Sequence, residues 1–249
     1  MNYSYPPPKH GLLPPIKNLA KNVIRGVSPA RTDAIVVASF GRAGSTLMFD
    51  SLVNAVAARR FGLSNKASQS VVKEVAMSLQ ETKFKRGVVY KTHDYPLHLA
   101  GNDSLKVVFL FGSAIETVLS VYQQLALLGP IWIKDHFDNL KSEHSFEDLL
   151  HFDALGIEAQ LRSWCVFDSV PVPCLRYEAL WENIEQISEF FAFDVDLPAK
   201  RDRKEKNYPV ETVSAIKKVY GPIDELLMQL PDCFIAGPEI AEAFESGIS

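Results

Sequence analysis

Residues 33–56 constrain the fold of this chain more than any other stretch. Ala34-Ile35-Val36-Val37-Ala38-Ser39-Phe40 is a nearly unbroken apolar run rich in β-branched residues, the pattern of a strand buried on both faces. It stops at Gly41-Arg42-Ala43-Gly44-Ser45-Thr46, after which Leu47, Met48, Leu52, Val53 and Val56 recur at helical spacing. A buried strand, a small-residue turn and a helix in that order form the opening unit of a parallel sheet, because parallel strands are joined only through crossovers.

The remainder of the chain repeats this alternation. A polar helix is expected over Ser68–Gln80, strands over Gly87–Lys91 and Lys106–Phe111, and a helix carrying Ile115, Val118, Leu119, Tyr122 and Leu125. Residues 128–150, with Gly129-Pro130 and Trp132, read as an irregular excursion ending in a short helix near Phe146–Leu150. A helix over Ile157–Phe167, a strand over Val172–Tyr177 and a helix bearing Leu180, Ile184, Ile187 and Phe191 follow. The charged run Lys200–Lys206 leads into a helical pair over Val210–Leu230. The expected class is α/β, with a mostly parallel central sheet flanked by helices in a single domain spanning 33–249. Residues 1–32 precede it as a proline-rich arm and a short amphipathic helix, Ile16–Val27, expected to pack on the domain surface.

Composition narrows the partners. With 249 residues, 47% hydrophobic and 22% charged, the chain is globular in character. Its 26 basic against 30 acidic residues give a net charge of −4, which disfavours broad binding to nucleic acid or anionic membrane and makes any basic site local. Three cysteines, Cys165, Cys174 and Cys233, fit a reducing compartment better than a disulfide framework or a metal site. No apolar stretch reaches the roughly 20 residues that cross a bilayer, and the N-terminus lacks the order of a signal peptide. A soluble, cytoplasmic protein without a transmembrane segment is expected; the oligomeric state is not legible.

The chemistry concentrates in the first turn. Glycines allow close approach to an anion, and the amides opening a helix supply donors and the positive end of its dipole. Ser45 and Thr46 add hydroxyls, and Arg42 adds a permanent planar cation suited to phosphate or sulfate oxygens. The turn is not a nucleotide P-loop of the Gly-x-x-x-x-Gly-Lys-Ser/Thr type, since no lysine precedes Ser45. Taken alone, it reads as an anion site or as a plain connection between strand and helix.

Four segments together are more specific. Gly41-Arg42-Ala43-Gly44-Ser45-Thr46, Lys91-Thr92-His93-Asp94-Tyr95-Pro96, the helix bearing Ser120, and Arg176-Tyr177-Glu178 resemble, in order and approximate spacing, the sulfotransferases that use 3′-phosphoadenosine-5′-phosphosulfate. The resemblance covers roughly Asp33 to Leu230. It implies a P-loop-like sulfotransferase fold that moves a sulfuryl group from that donor to the hydroxyl or amine of a small-molecule or glycan acceptor, without a metal. It also implies that Arg42, Ala43, Gly44, Ser45 and Thr46 hold the 5′-phosphosulfate, Ser120 the 3′-phosphate and Tyr177 the adenine. His93 would be the general base, with Arg42 and Lys91 beside the transferring group.

The sequence departs from the family's pattern at Gly112, which stands where the family carries an arginine for the 3′-phosphate. Arg201 and Arg203 fall where the family brings a basic segment over the same phosphate. Trp132, Phe137 and Tyr95 are candidates for an acceptor pocket, and Trp164 for the core. His98, His136, His144 and His151 receive no role. A non-catalytic or altered-donor member of the fold, and a P-loop-like nucleotide-binding kinase, remain the alternatives.

Overall fold

The computed structural model describes residues 14–99, 104–200 and 208–246. Within them, β1 (Ala34–Ser39), β2 (Lys73–Val75), β3 (Val89–Thr92), β4 (Leu105–Phe111), β5 (Pro173–Arg176) and β6 (Cys233–Ile235) form one sheet in the order β2-β3-β1-β4-β5-β6. Every neighbouring pair is parallel except β5 and β6. β1 is central: Ile35–Ala38 align with Val89–Thr92 on one side, and Ala34–Ser39 with Leu105–Leu110 on the other.

β1 is buried along its whole length because both faces of the sheet are covered. Ile35 and Val37 point into one apolar layer, with Met48, Leu52 and Val56 of α2 (Ser45–Phe61) and Ile187 and Phe191 of α7 (Ile184–Phe191). Val36 and Ala38 point into the other layer. There they meet α4 (Ala114–Leu128), α5 (Pro130–Asn139), α6 (Ile157–Cys165) and α8 (Val210–Gln229). The two-residue period of the strand thus assigns alternate side chains to opposite helical layers.

Several boundaries differ from the sequence reading. The polar helix expected over 68–80 is α3 (Lys66–Val72) followed at once by edge strand β2, which pairs with β3 in the register Lys73↔Val89. Lys73 is exposed and Glu74 half-buried on this three-residue edge, a charged and short form that resists pairing with another chain. The helical pair over 210–230 is one helix, α8, continuous through Pro222, with Ile216, Tyr220, Ile223, Leu226 and Leu227 on its buried side. The antiparallel strand β6 and α9 (Glu239–Ser246) carry no counterpart in the sequence reading.

Residues 128–150 are also more regular than expected. Gly129, at φ 81°, ends α4, and Pro130 then occupies the first turn of α5, where its missing N–H costs nothing. The helix expected over 16–27 is α1 (Pro14–Val27), but its apolar Leu19, Val23 and Val27 are exposed. Polar contacts hold it instead: Arg25 Nε donates to the Val71 carbonyl at 2.7 Å and pairs with Glu74, while Arg60 Nη2 donates to the Arg25 carbonyl at 2.8 Å. The first thirteen residues of the proline-rich arm lie outside the described residues. Among the described residues, no helix is long and apolar enough to cross a membrane.

Candidate active site

The carboxyl ends of β1 and β3 and the start of α2 meet at a cavity of about 640 Å³. Ligands of open α/β sheets bind at such strand ends, beside the strand from which connections run to both sides. The volume suits a small molecule or a nucleotide.

The turn after β1 is wound by positive φ angles: Gly41 at 87°, Arg42 at 51° and Gly44 at 79°. Space is also short at both glycines, and at Gly44 it admits no side chain. A Cβ on Gly44 would stand 2.1 Å from Cδ2 of Tyr177, and one on Gly41 would stand 3.1 Å from Cε1 of His136. Gly44 opens α2 with no side-chain cap, so the helix presents its positive dipole end at the cavity. Ser45 is buried and Thr46 exposed, and both line the cavity. Ala43 is 2% exposed and packs into the core, so only its main chain can meet a ligand.

The two cations reach this turn from different directions. Arg42 donates from Nε to Ser120 Oγ at 3.0 Å, and its guanidinium lies 5.8 Å from the Trp132 ring centroid. Lys91, from β3, donates from Nζ to Thr46 Oγ1 at 2.8 Å. Burial, with the Arg42 charge adding to it, pushes the Lys91 ammonium pKa down. An anion bound between the two would relieve that repulsion.

His93 directly follows β3 and has a defined tautomer. Its Nδ1 lies 2.8 Å from the Ser39 carbonyl, which can only accept, so Nδ1 carries the proton and Nε2 the lone pair. Ser39 Oγ, 3.3 Å from Nδ1, also accepts from the Gly41 N–H at 3.2 Å, tying imidazole and turn to one residue. Burial pushes the His93 pKa down to about 4, with the Ser39 contact opposing and the Lys91 charge reinforcing the shift. The imidazole is therefore neutral at pH 7.

His136, given no role by the sequence, lines the same cavity. It projects from α5 one turn after Trp132 and stacks on that ring with centroids 4.8 Å apart and planes at 12°. It also meets His93 edge-on, with centroids at 6.4 Å. Its Nε2 is buried and has no hydrogen-bond partner. Burial foremost, then the His93, Arg42 and Lys91 charges, push its pKa down to about 3. The available sequence signal was Pro130 at a helix start, with Trp132, His136 and Asn139 following at i, i+4 and i+7 on one face.

Thus Arg42, Gly44, Ser45, Thr46, Lys91, His93, Ser120 and Tyr177 all border one cavity. Arg201 and Arg203 lie outside the described residues. Of the acceptor-pocket candidates, Trp132 lines the cavity, whereas Phe137 is buried in the core and Tyr95 is not part of the lining. Trp164 is fully buried, stacked on Phe109 at 5.4 Å, and donates from Nε1 to the Asp94 carbonyl at 3.1 Å. The Asp94 carboxylate accepts from the Leu79 and Tyr95 amides at 2.8 Å and from Lys141, which anchors the strand end beyond His93.

A second cavity, of about 590 Å³, adjoins the first, and Glu116 and Tyr177 line both. Two residues of its wall approach Gly112, where a Cβ would stand 3.3 Å from Glu178 Oε2 and 3.3 Å from Tyr177 Cβ. Among the described residues, no cluster of three or more His, Cys, Asp or Glu side chains is placed to hold a metal ion. No protein-family model matches the sequence, and no curated protein matches it.

Proposed function

We propose that this chain is a sulfotransferase, passing a sulfuryl group from a nucleotide phosphosulfate to a hydroxyl or amine of a small-molecule or glycan acceptor. One observation carries the reading above the others. A neutral imidazole with its Nε2 lone pair free for a proton borders the same cavity as two cations and an uncapped helix start. Those are the parts that sulfuryl transfer needs: charge opposite the departing phosphate, a fixed geometry and a base for the acceptor's proton.

The geometry supports a role for each group. The α2 amides, Ser45 and Thr46 hold the donor's phosphate. Arg42, whose guanidinium stays protonated, offsets negative charge on the bridging oxygen and cannot act as an acid. Lys91, held by Thr46 at the edge of the turn, adds a second charge there. His93 takes the acceptor's proton on Nε2, and the Ser39 carbonyl stabilises the imidazolium through Nδ1–H. Tyr177, packed on Gly44, offers a ring edge or face to the donor's base. The donor that the family resemblance implies is 3′-phosphoadenosine-5′-phosphosulfate. A reducing, cytoplasmic setting is part of the proposal and agrees with three free cysteines, two of them buried.

A kinase or nucleotide hydrolase is the second reading, and Asp94 speaks against it. The acid that follows β3 is used by Leu79, Tyr95 and Lys141 and is 4% exposed, so it is a poor site for Mg²⁺. Calorimetric titration of the full chain without magnesium decides between the readings. The two products such a donor can leave are adenosine 5′-monophosphate and adenosine 3′,5′-bisphosphate. Binding of at least one, without magnesium, is the expected result. Binding of ATP alone, and only with magnesium, would move the assignment to phosphoryl transfer. No nucleotide binding at all would leave a non-catalytic module.

A further inference from the structure

We infer that α1 attaches the protein to an anionic lipid bilayer: its outward apolar stripe enters the membrane surface, and the lysines around the cavity behind it meet the headgroups. The inference is independent of the nucleotide chemistry. It starts from a helix docked with its faces reversed. A surface helix ordinarily turns its apolar stripe to the core and its charges to water. In α1, Leu19, Val23, Ile24 and Val27 share one face and are 39–80% exposed. Lys21 and Arg25, one turn apart on the other face, are the half-buried ones. That inner face is held by polar contacts, from Arg25 to the Val71 carbonyl and Glu74 and from Arg60 to the Arg25 carbonyl. Docking therefore leaves the whole stripe turned outward.

The charge behind the stripe selects the occupant. Where α1 meets β2, a cavity of about 660 Å³ is lined by Lys21, Arg25, Lys73 and Lys85, against the single carboxylate of Glu74, which Arg25 already engages. Lys85 is tied to the helix, donating from Nζ to Asn22 Oδ1 at 2.9 Å. α1 contains no acidic residue; residues 1–13, outside the described residues, contain Lys9 and no acidic residue either. The net charge of −4 acts weakly here, because charges farther away than about 8 Å are largely screened at physiological salt. A helix is about 10 Å across, so these cations stand at headgroup depth when the stripe reaches the acyl boundary. With 14 residues, α1 is about 21 Å long and lies in the membrane plane, too short to span it.

A second copy of the chain fits the stripe less well. A two-fold contact through α1 would bring two lysine-lined cavities near each other. The stripe's few aliphatic side chains also fall short of the roughly 800 Å² per partner of a stable interface.

Sedimentation of the full chain with vesicles tests this. Vesicles of phosphatidylcholine with about 30% phosphatidylserine are expected to bind it at least about tenfold more tightly than phosphatidylcholine alone. Leu19→Gln combined with Val23→Gln, both at exposed positions, is expected to weaken that binding at least about tenfold while the urea midpoint holds. Lys73→Gln combined with Lys85→Gln is expected to remove most of the preference for the anionic vesicle. Emission from Val23→Trp is expected to move to shorter wavelength when anionic vesicles are added. Failure to sediment with either vesicle, equal affinity for the two, or binding that the Gln pair at 19 and 23 leaves unchanged overturns the inference. So does Val23→Trp emission that is already at short wavelength without lipid and unmoved by it, the sign that the leading residues or a second copy cover the stripe.

Discussion

His93 holds its proton on Nδ1 because the last carbonyl of a neighbouring strand leaves it no other arrangement. That carbonyl belongs to Ser39, which was visible in the sequence only as the end of a strand. Its pairing with His93 depends on the β1–β3 register, and no local pattern encodes register. Replacing His93 with Ala is expected to lower turnover by about 10²–10⁴-fold, with nucleotide affinity held within a few fold, as measured by transfer of labelled sulfate and by calorimetry. Acid should also weaken the fold. The folded-state pKa values of His93 and His136, about 4 and about 3, lie below the ordinary value, so the unfolded chain binds more protons between the ordinary and the folded values. Their contribution to stability is complete above about pH 6.5, falls steadily below it and is gone once pH has passed the folded values. Urea denaturation at pH 7.5 and pH 4.5 is expected to show the lower midpoint at pH 4.5. A midpoint that does not move would separate these imidazoles from folding.

Helix α5 shows how far an element can be read without its neighbours. Gly129-Pro130 looks like a turn, and it is one, yet the same proline is also a good first residue for a helix. The helix matters because it carries Trp132 and His136 to the cavity, so that part of the site lay hidden in a segment read as irregular. β2 escaped the sequence reading for another reason: a three-residue edge strand acquires its structure from pairing with β3, and its own composition says little. The strand–turn–helix at β1–α2 was legible because a buried strand and a left-handed turn each leave a local signature. Helix α4 carries a prediction of its own. Ser113 caps it by accepting from the Glu116 amide at 3.1 Å, and Asp224 of α8 accepts from Ala114 and from the Ser113 hydroxyl. Asp224→Ala should cost about 0.5–2 kcal/mol in chemical denaturation, the usual range for loss of a helix cap. It should also return an open amide to the second cavity.

Across the whole molecule, the sheet joins the site to the core through one buried ring. Trp164 stacks on Phe109 of β4 and donates its indole N–H to the Asp94 carbonyl, immediately after His93 in the chain. Trp164→Ala is expected to cost about 3–5 kcal/mol, while Trp164→Phe keeps much of the stack and should cost less, about 1–3 kcal/mol for the unpaired carbonyl. Denaturation midpoints of the two variants check the order. The class of the fold was readable because alternation of apolar strands and helices survives translation into three dimensions. The strand order and the layer each helix joins were not, since they depend on contacts between residues far apart in the chain.

The packing of Tyr177 on Gly44 has an evolutionary consequence. The ring fills the volume that any larger residue at 44 would need, at a backbone angle that already favours glycine. Relatives of this chain should therefore keep glycine at 44 wherever an aromatic stands at 177, and a lineage that loses glycine at 44 should carry a smaller residue at 177.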